Sequence, residues 1–351
     1  MSPRPELPGS NEGEPTRAVG RAARRRARRR PPPLPQRDGL DAARWQVPPS
    51  TPRGVTALAA LVERFPALAD PAAAPLQKRF AGGEIVDARG RAWEADDIVR
   101  TGDELWFHRE VREEHVPEIA LRILHRDEHL LVLDKPHDIA TIPRGEHVLG
   151  SALVRLRRET GIETLVPLHR LDRRTAGVLA FGIRPEERSA YQQLFARAEV
   201  HKEYEARVLP GASASLPSGL GRSSVMRDHV VKHHGQLRAQ VLEEEPNAES
   251  ALEILEIEDD GVLRVGLCPR TGRTHQLRVQ LASRGAPILG EDLYWPVERA
   301  APPVRVWPEG LPLQLLARRL AFRDPLTGAR RDFRSAQTLG ELGSASRTLS
   351  P

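Results

Sequence analysis

A single carboxylate, Asp172, lies in the middle of a segment crowded with cationic side chains. This segment, residues 168–177, carries six polar or charged groups, and apolar stretches flank it at 164–167 and 178–181. A carboxylate between two core elements is costly to bury unless it has cationic or hydrogen-bonding partners. With such partners it could act as a nucleophile or as a general base. On spacing alone, the segment could equally be a surface loop held by its own salt bridges.

A second candidate segment, residues 268–281, combines a glycine-containing turn with a helix. Thr274 can cap the helix, and Leu277 and Leu281 lie four residues apart, which gives the helix a buried face. We therefore expect Arg273 to be held rigidly at the start of the helix, where it could meet an anion. The alternative is an ordinary capped helix whose arginines face water.

Tyr204 is the third candidate. Tyr204, Ala206 and Val208 alternate along one face of a predicted strand. Taken alone, Tyr204 is more typical of a packed aromatic side chain than of a catalytic one. Each of the three segments alone is weak evidence for a functional site. Together, and in the order in which they occur along the chain, they are stronger evidence.

The elements that must position these residues follow from the apolar periodicity. Helical spacing covers residues 53–65, 150–160 and 187–198. Strands are predicted at 104–107, 123–124, 130–133, 202–209, 251–257 and 262–268, with a strand-turn-strand at 85–92 around Gly90. Tight turns at 127–128 and 259–261 join neighbouring strands, which indicates antiparallel pairing. The predicted fold class is α+β, with a mixed, mainly antiparallel sheet.

Composition divides the chain into four regions. Residues 1–38 are rich in Pro, Gly, Glu and Arg, with seven arginines in 21–30, and cannot bury a core. We expect this region to be a disordered basic tail, either merely solvated or acting as an electrostatic arm for phosphates. Residues 39–115 predict a small N-terminal α/β module and 116–336 the larger domain. A loose tail is predicted for 337–351.

Bulk properties restrict the partners and the compartment. The net charge of +5 and the pI of about 9.8 favour an anionic partner. The one cysteine, Cys268, excludes an internal disulfide and is expected in the core. No apolar stretch approaches the roughly 18 residues that a membrane-spanning helix needs. We expect a cytoplasmic monomer with no membrane association.

Five segments, in this order along the chain, resemble the RluA family of pseudouridine synthases. They are Leu130–Pro136, His169–Gly177, Lys202–Tyr204, Gly272–Arg278 and Gly285–Gly290. The resemblance covers residues 120–325 and implies the pseudouridine synthase catalytic fold, with rRNA or tRNA as the partner. Residues 134–137 and 166–169 resemble the branch that modifies a tRNA anticodon stem-loop and a large-subunit rRNA hairpin.

The resemblance also implies roles for individual residues. Asp172 would be the catalytic carboxylate, Tyr204 the active-site aromatic and Arg273 the basic partner of the carboxylate. A buried carboxylate stays ionised only beside a cation, so we expect an Asp172–Arg273 ion pair. The predicted RNA contacts are His169, Arg170, Arg173, Lys135, Arg144 and Arg278.

Three positions depart from the family pattern. Gln280 and Ala286 stand where many relatives carry histidine, and Trp295 follows Tyr294 where glycine is usual. These departures affect RNA contacts and loop shape rather than the reaction.

The implied reaction involves no redox change and no group transfer to solvent, so we expect neither a cofactor nor a metal. Two alternatives remain open at this point. The chain could be an RNA-binding or assembly factor that has lost catalysis. It could also be a hydrolase that uses Asp172 with His169, although this leaves Tyr204 and the segment of Arg273 unexplained.

Overall fold

The computed structural model describes residues 31–69, 74–110, 114–258, 261–294 and 311–341. Most of the predicted basic tail, the hairpin residues Asp259 and Asp260, and Trp295 lie outside these ranges. The described residues divide into two compact units. Those within 31–37 and 41–110 form the smaller unit, and Asp38–Leu40 with those within 114–341 form the larger one. Within the described ranges, no helix is long and apolar enough to cross a membrane.

The smaller unit pairs two strands and holds two short helices. Strand β1 (Ala43–Gln46) runs antiparallel to β2 (Glu104–Phe107). Helix α1 (Ala57–Arg64) begins after Thr56, whose hydroxyl accepts the Ala59 N–H. A 3₁₀ turn (Pro66–Ala69) and helix α2 (Leu76–Ala81) follow. The predicted helix and the strand at 104–107 are confirmed, whereas the strand pair predicted at 85–92 is only an isolated bridge.

The larger unit is built on one sheet. Its strands are β3 (Arg122–Arg126), β4 (Leu130–Lys135), β5 (Val166–Pro167), β6 (Ala176–Gly182), β7 (His201–Val208), β8 (Ser223–Val231), β9 (Gln240–Leu242), β10 (Ala248–Ile257), β11 (Leu263–Pro269), β12 (Leu315–Arg323) and β13 (Arg330–Arg334). Its helices are α3 (Ala152–Thr160), α4 (Arg188–Ala196) and α5 (Gln276–Ser283), with a 3₁₀ turn at Leu339–Glu341.

The strands follow the order β3-β4-β6-β12-β7-β11-β10-β8-β9, with β13 beside β12 and β5 beside β6. Among the strand pairs in the described residues, β6–β12 alone is parallel. The predicted α+β class with a mixed, mainly antiparallel sheet is therefore confirmed. The sequence patterns did not identify β1, β5, β6, β8, β9, β12 or β13 as strands.

The core fills the middle of this sheet. Every residue of β4 and of β6 is buried, as expected for strands covered on both faces. Two buried clusters lie along the central strands, and Tyr204 packs against both. Cys268, expected in the core, is only partly buried, because strand alternation gives the core position to Leu267.

The predicted loose C-terminal tail is anchored where it begins. The Gln337 amide donates to Asp134 Oδ1 at 2.7 Å and to the Lys135 carbonyl at 3.0 Å. The Ser335 hydroxyl and the Ala336 N–H also donate to the Asp134 carboxylate. These bonds satisfy a buried acid at the end of β4 and fix the chain that follows β13.

Gly177 stands where the parallel strands β6 and β12 meet. Its φ is +112°, and a Cβ there would lie 2.2 Å from the Ala317 carbonyl oxygen. Residues 177 and 317 face each other in the β6–β12 pairing. Only glycine allows this close approach, and the loop that carries Asp172 enters the sheet one residue earlier.

Replacing Gly177 with alanine should destabilise the larger unit by roughly 2–5 kcal/mol, because overpacking adds to the cost of positive φ. The matched control is Gly161→Ala, at φ +69° with nothing within 4 Å of the added carbon. The control should cost only about 1 kcal/mol. Urea denaturation measures both variants, and equal losses would contradict the close approach as the cause.

Candidate active site

The backbone of the Asp172 loop is fixed from one side by a threonine. The Thr141 hydroxyl donates to the Leu171 carbonyl at 2.7 Å and accepts the Leu171 N–H at 3.1 Å. The Asp172 carbonyl accepts the Thr175 N–H at 3.0 Å, which closes a turn before β6. The loop between β5 and β6 therefore holds Asp172 in one backbone position.

A buried lysine fixes the same loop from another direction. Lys135, the last residue of β4, is 0% exposed. Its ammonium donates to the carbonyls of Pro136, Ile139 and Arg173 at 2.8–3.0 Å. Burial lowers the pKa of Lys135 to about 7, although the negative charge of Asp172 acts to raise it. The lysine is thus part of the framework that orients the Asp172 loop.

Helix α5 brings a second buried cation to this loop. The Arg278 side chain is 4% exposed and donates to both oxygens of the Glu291 carboxylate, which is 0% exposed. It also donates to Asp292 Oδ1 at 2.9 Å. The N–H groups of Asp292 and Leu293 donate to Glu291 as well. This arrangement satisfies a buried charge pair from both sides.

Two side chains of the α5 segment face the Asp172 carboxylate. Arg278 Nη1 lies 3.9 Å from Asp172 Oδ2, and His275 Nε2 lies 3.8 Å from Oδ1. The Asp172 side chain is 31% exposed. Among the described residues, its carboxylate accepts no hydrogen bond, so its oxygens are stabilised by charge and still free to react.

Tyr204 lies at the centre of the sheet, near this carboxylate. On β7 it pairs with Ala317 of β12 and with Leu267 of β11. Burial raises the pKa of Tyr204 above its ordinary value, and the negative charge of Asp172 raises it further. The phenol therefore stays protonated at neutral pH.

The arrangement is a half-exposed carboxylate with a buried guanidinium, an imidazole and a protonated phenol around it. Comparison with known proteins assigns it to a family. Residues 129–283 match the family model for RNA pseudouridylate synthase. The dual-specificity RNA pseudouridine synthase RluA of Pasteurella multocida is 30% identical over 213 residues, 59% of this chain and 89% of that protein. The chain belongs to the RluA-type family of RNA pseudouridine synthases.

Other relatives agree with this membership. RluA of Escherichia coli K12 is 31% identical over 175 residues, 50% of this chain and 77% of that protein. A solved structure, human RNA pseudouridylate synthase domain containing 1, is 21% identical and covers 66% of this chain and 96% of that one. Its TM-score is 0.47, so the membership depends on the sequence matches. The resemblance inferred from the five segments is confirmed.

The structure does not place Arg273 beside Asp172, so the predicted ion pair is wrong. Arg273 is exposed, and its Nε donates to the Asn247 carbonyl at 3.2 Å. The buried Gln276 side chain accepts the Arg273 N–H at 3.0 Å, and it donates to Ser250 of β10. This bonding holds the turn against the sheet and directs the Arg273 side chain outward.

The turn before α5 also differs from the prediction in its cap. Thr274 does not cap the helix: the N-cap is His275, with φ +58° and no side-chain cap bond. Leu277 and Leu281 are buried as predicted. Residues 276–281 are all buried, so Arg278 within this run needed internal partners. The sequence does not show which residues of this run are buried, so it carried no signal that separates Arg278 from Arg273.

Three predicted RNA contacts are turned inward instead. Lys135 and Arg278 are buried and bound to protein groups, so neither can reach a phosphate. His169 accepts the Ala180 N–H through Nε2 and stacks on Phe195. Burial, helped by the charge of Lys202, lowers the pKa of His169 to about 3. A neutral acceptor of this kind suits neither phosphate binding nor the acid role of a hydrolase.

The exposed cations that remain beside Asp172 are Arg170 and Arg173, with Arg144 on a neighbouring loop. Arg173 forms an ion pair with Asp138 at 2.9 Å. Of the departures from the family pattern, Ala286 is buried, and Gln280 bonds Ser250 and Asp228 inside the core. Both positions serve packing in this chain.

Two arginine variants separate the observed arrangement from the one predicted by sequence. Arg278→Lys keeps a positive charge for Glu291 but loses the planar fork, and kcat should fall by about 10–100-fold, as for a lost bond to a charged group. Arg273→Ala should leave kcat unchanged. Single-turnover pseudouridine formation measures both, with thermal melting to verify folding. The reverse ranking would restore Arg273 as the partner of Asp172.

Acid titration tests the neutral state of His169. The folded-state pKa of about 3 lies below the ordinary 6.5, so the unfolded chain binds the proton more readily between these values. The stability due to this group is complete above pH 6.5 and is lost as the pH falls toward 3. His169→Gln keeps an acceptor for Ala180 but does not titrate. From about pH 7 to about pH 4.5, wild type should lose on the order of 2 kcal/mol relative to this variant. Parallel stability profiles in urea would contradict the neutral state of the ring.

Proposed function

We propose that Asp172 is the catalytic carboxylate with which this RNA pseudouridine synthase isomerises uridine in rRNA or tRNA, flanked by Tyr204 and Arg278. The observation that carries the proposal is the state of this one acid. It is half-exposed on a rigid loop, faces two side chains at just under 4 Å and accepts no hydrogen bond among the described residues. A substrate can therefore reach an acid that the protein has already oriented.

The reaction makes a specific demand on this carboxylate. The bond from uracil N1 to ribose C1′ breaks, the base turns, and a bond from C5 to C1′ forms. The C5 proton is lost, and N1 gains a proton. A carboxylate can attack the sugar, or it can remove a proton so that the sugar eliminates the base. Both routes need Asp172 ionised and its oxygens accessible.

Arg278 supplies charge without occupying those oxygens. At 3.9 Å its Nη1 is beyond hydrogen-bonding distance of Oδ2, while Glu291 and Asp292 hold the rest of the guanidinium. Arg278 therefore keeps Asp172 ionised from a distance while both carboxylate oxygens stay open to the substrate.

Tyr204 contributes a flat face and a neutral hydroxyl. Because its pKa is raised, the phenolate is too rare to act as the base that removes the C5 proton. The ring can stack on uracil, and the hydroxyl can hold a water that accepts this proton. Tyr204 thus orients the base during its rotation.

The RNA itself must deliver an unstacked base to this site. Flipping a base out costs a few kcal/mol, least in loops and bulges, which favours structured hairpins as substrates. Arg170 and Arg173, exposed on the Asp172 loop, are placed to hold flanking phosphates or to fill the vacated stack. The names of two relatives state a dual specificity, which agrees with the two substrate classes, rRNA and tRNA, that the resemblance of residues 134–137 and 166–169 implies.

Exchange of the acid for its amide tests the proposal. Asp172→Asn should reduce tritium release from RNA labelled at uridine C5 by about 10²–10⁴-fold, because the amide is neither base nor nucleophile. The substrate is total RNA from cells of the source organism that lack this gene. Sequencing of pseudouridine in the same RNA identifies the target uridine.

The matched control is Asp138→Asn, the same exchange on a neighbouring carboxylate. Asp138 has φ +59° and pairs with Arg173. Asparagine tolerates this conformation, and an exposed ion pair contributes little, so activity should stay within about threefold of wild type. Wild-type release by Asp172→Asn would refute the assignment. RNA binding with no release by the wild-type protein would instead support an inactive assembly factor.

A further inference from the structure

A chain of hydrogen bonds reaches Asp172 from outside the residues assigned so far. The Ala239 N–H donates to Tyr294 Oη at 2.8 Å. Tyr294 Oη lies 2.5 Å from His275 Nδ1. The other ring nitrogen, His275 Nε2, lies 3.8 Å from Asp172 Oδ1. Neither His275 nor Tyr294 has a role in the reaction as described above.

The donor at its start favours one assignment of the hydrogens along this chain, in which the Tyr294 hydroxyl accepts from Ala239 and donates to His275. A backbone N–H can only donate, so Tyr294 Oη accepts from Ala239. Burial raises the pKa of Tyr294 above its ordinary value, so the hydroxyl keeps its own hydrogen and can donate it to His275 Nδ1. A neutral imidazole with Nδ1 as acceptor carries its hydrogen on Nε2. That atom is the one that faces Asp172.

The surroundings keep His275 neutral. Burial lowers the pKa of His275. The positive charges of Arg278 and Lys232 lower it further, whereas the negative charges of Asp172 and Glu291 raise it. A neutral ring with a fixed tautomer can direct one hydrogen at the carboxylate. A mixture of tautomers would offer Asp172 a hydrogen half of the time and a repelling lone pair otherwise.

The backbone of His275 is a second, independent observation. Its φ of +58° is a left-handed conformation that costs a residue with a Cβ about 1–2 kcal/mol. Strain of this kind persists where the surroundings over-determine it and often marks a functional position. The Tyr294 ring packs edge-on against the His275 ring and also lies under the Arg278 guanidinium. Tyr294 therefore braces both groups that face Asp172.

We propose that Tyr294 and His275 form a positioning pair: Tyr294 fixes the His275 tautomer, and His275 Nε2–H orients Asp172 Oδ1 so that Oδ2 is presented to the sugar. The inference rests on the proposed catalytic role of Asp172. The present separation of 3.8 Å closes when substrate binds, as enzyme hydrogen bonds often do. His275 touches neither the base nor the sugar in this scheme, so it is a positioning residue.

Two substitutions of His275 distinguish a positioning role from a purely structural one, because the two roles predict opposite orders of activity. His275→Gln keeps a donor at the position of Nε2, whereas the shorter His275→Asn can place one only at the position of Nδ1. Asparagine, however, is the better residue for a left-handed backbone. A purely structural role therefore predicts that Asn is both more stable and more active than Gln.

The positioning role predicts the reverse ranking in kcat. His275→Gln should stay within about 10-fold of wild type, and His275→Asn should lose about 10–100-fold in kcat with little change in KM, as for a lost hydrogen bond to a charged group. Asn should nonetheless melt at the same or a higher temperature than Gln. Activity of Asn equal to or above that of Gln overturns the proposal.

A spectroscopic measurement keeps the proposal testable if either variant fails to fold. Nitrogen-15 chemical shifts of His275 report its tautomer in the wild-type protein without any RNA. The Nε2–H form is expected, with a shift toward a mixture in Tyr294→Phe. An Nδ1–H form in wild type overturns the positioning pair. This measurement needs no turnover, so it tests the Tyr294–His275 pair by itself. The activity of Asp172→Asn tests the catalytic role of Asp172 separately.

Discussion

The site depends on one interaction, the buried ion pair between the Arg278 guanidinium and the Glu291 carboxylate. A lone charge in this position would be too costly to desolvate, and removal of one partner from a buried pair typically costs about 3–5 kcal/mol. Glu291 meets Arg278 with both oxygens, while two backbone N–H groups saturate Glu291 from behind. Because those bonds already hold the arginine, its remaining nitrogen can face Asp172 as a charge and leave the carboxylate free.

The carboxylate also needs a backbone that does not move, and a second buried cation provides this. Lys135 has no acid within ion-pair distance among the described residues and donates to three carbonyls instead. One of these, that of Arg173, lies in the Asp172 loop. Gly177 then allows β6 to approach β12 more closely than any other residue would. Loop and strand are thus fixed by contacts that only a lysine and a glycine supply.

The internal use of these cations changes the view of RNA binding. A basic sequence suggests that its lysines and arginines are available to bind phosphates. In this domain, however, protein carboxylates already neutralise several of them. Arg278, Arg207 and Arg319 each pair with carboxylates of the larger unit. Beside Asp172, Arg170 and Arg173 are exposed, and Arg173 shares its charge with Asp138. Affinity for RNA should therefore depend on few side chains near the reacting base.

Much of this domain followed from the sequence alone. Apolar patterns predicted the helices α3 and α4 and the strands β3, β4, β7, β10 and β11, since local patterns are set by which face is buried. Charged residues interrupt the apolar pattern of β8, β12 and β13, whereas β5 and β9 are too short, at two and three residues, to show a pattern. Spacing alone left the Asp172 segment open between a surface loop and a site. The order of five segments identified the family, and the resemblance pointed to Asp172.

The partner of Asp172, by contrast, was decided only by the tertiary structure. Arg273 and Arg278 lie five residues apart in one motif, and nothing local distinguishes their charges. The left-handed turn at His275 and the bonds from Gln276 to β10 send one outward. Glu291, from a later loop, draws the other inside. The direction of a charged side chain depends on partners distant in sequence, because a buried charge is stable only where the fold has brought its counter-charge.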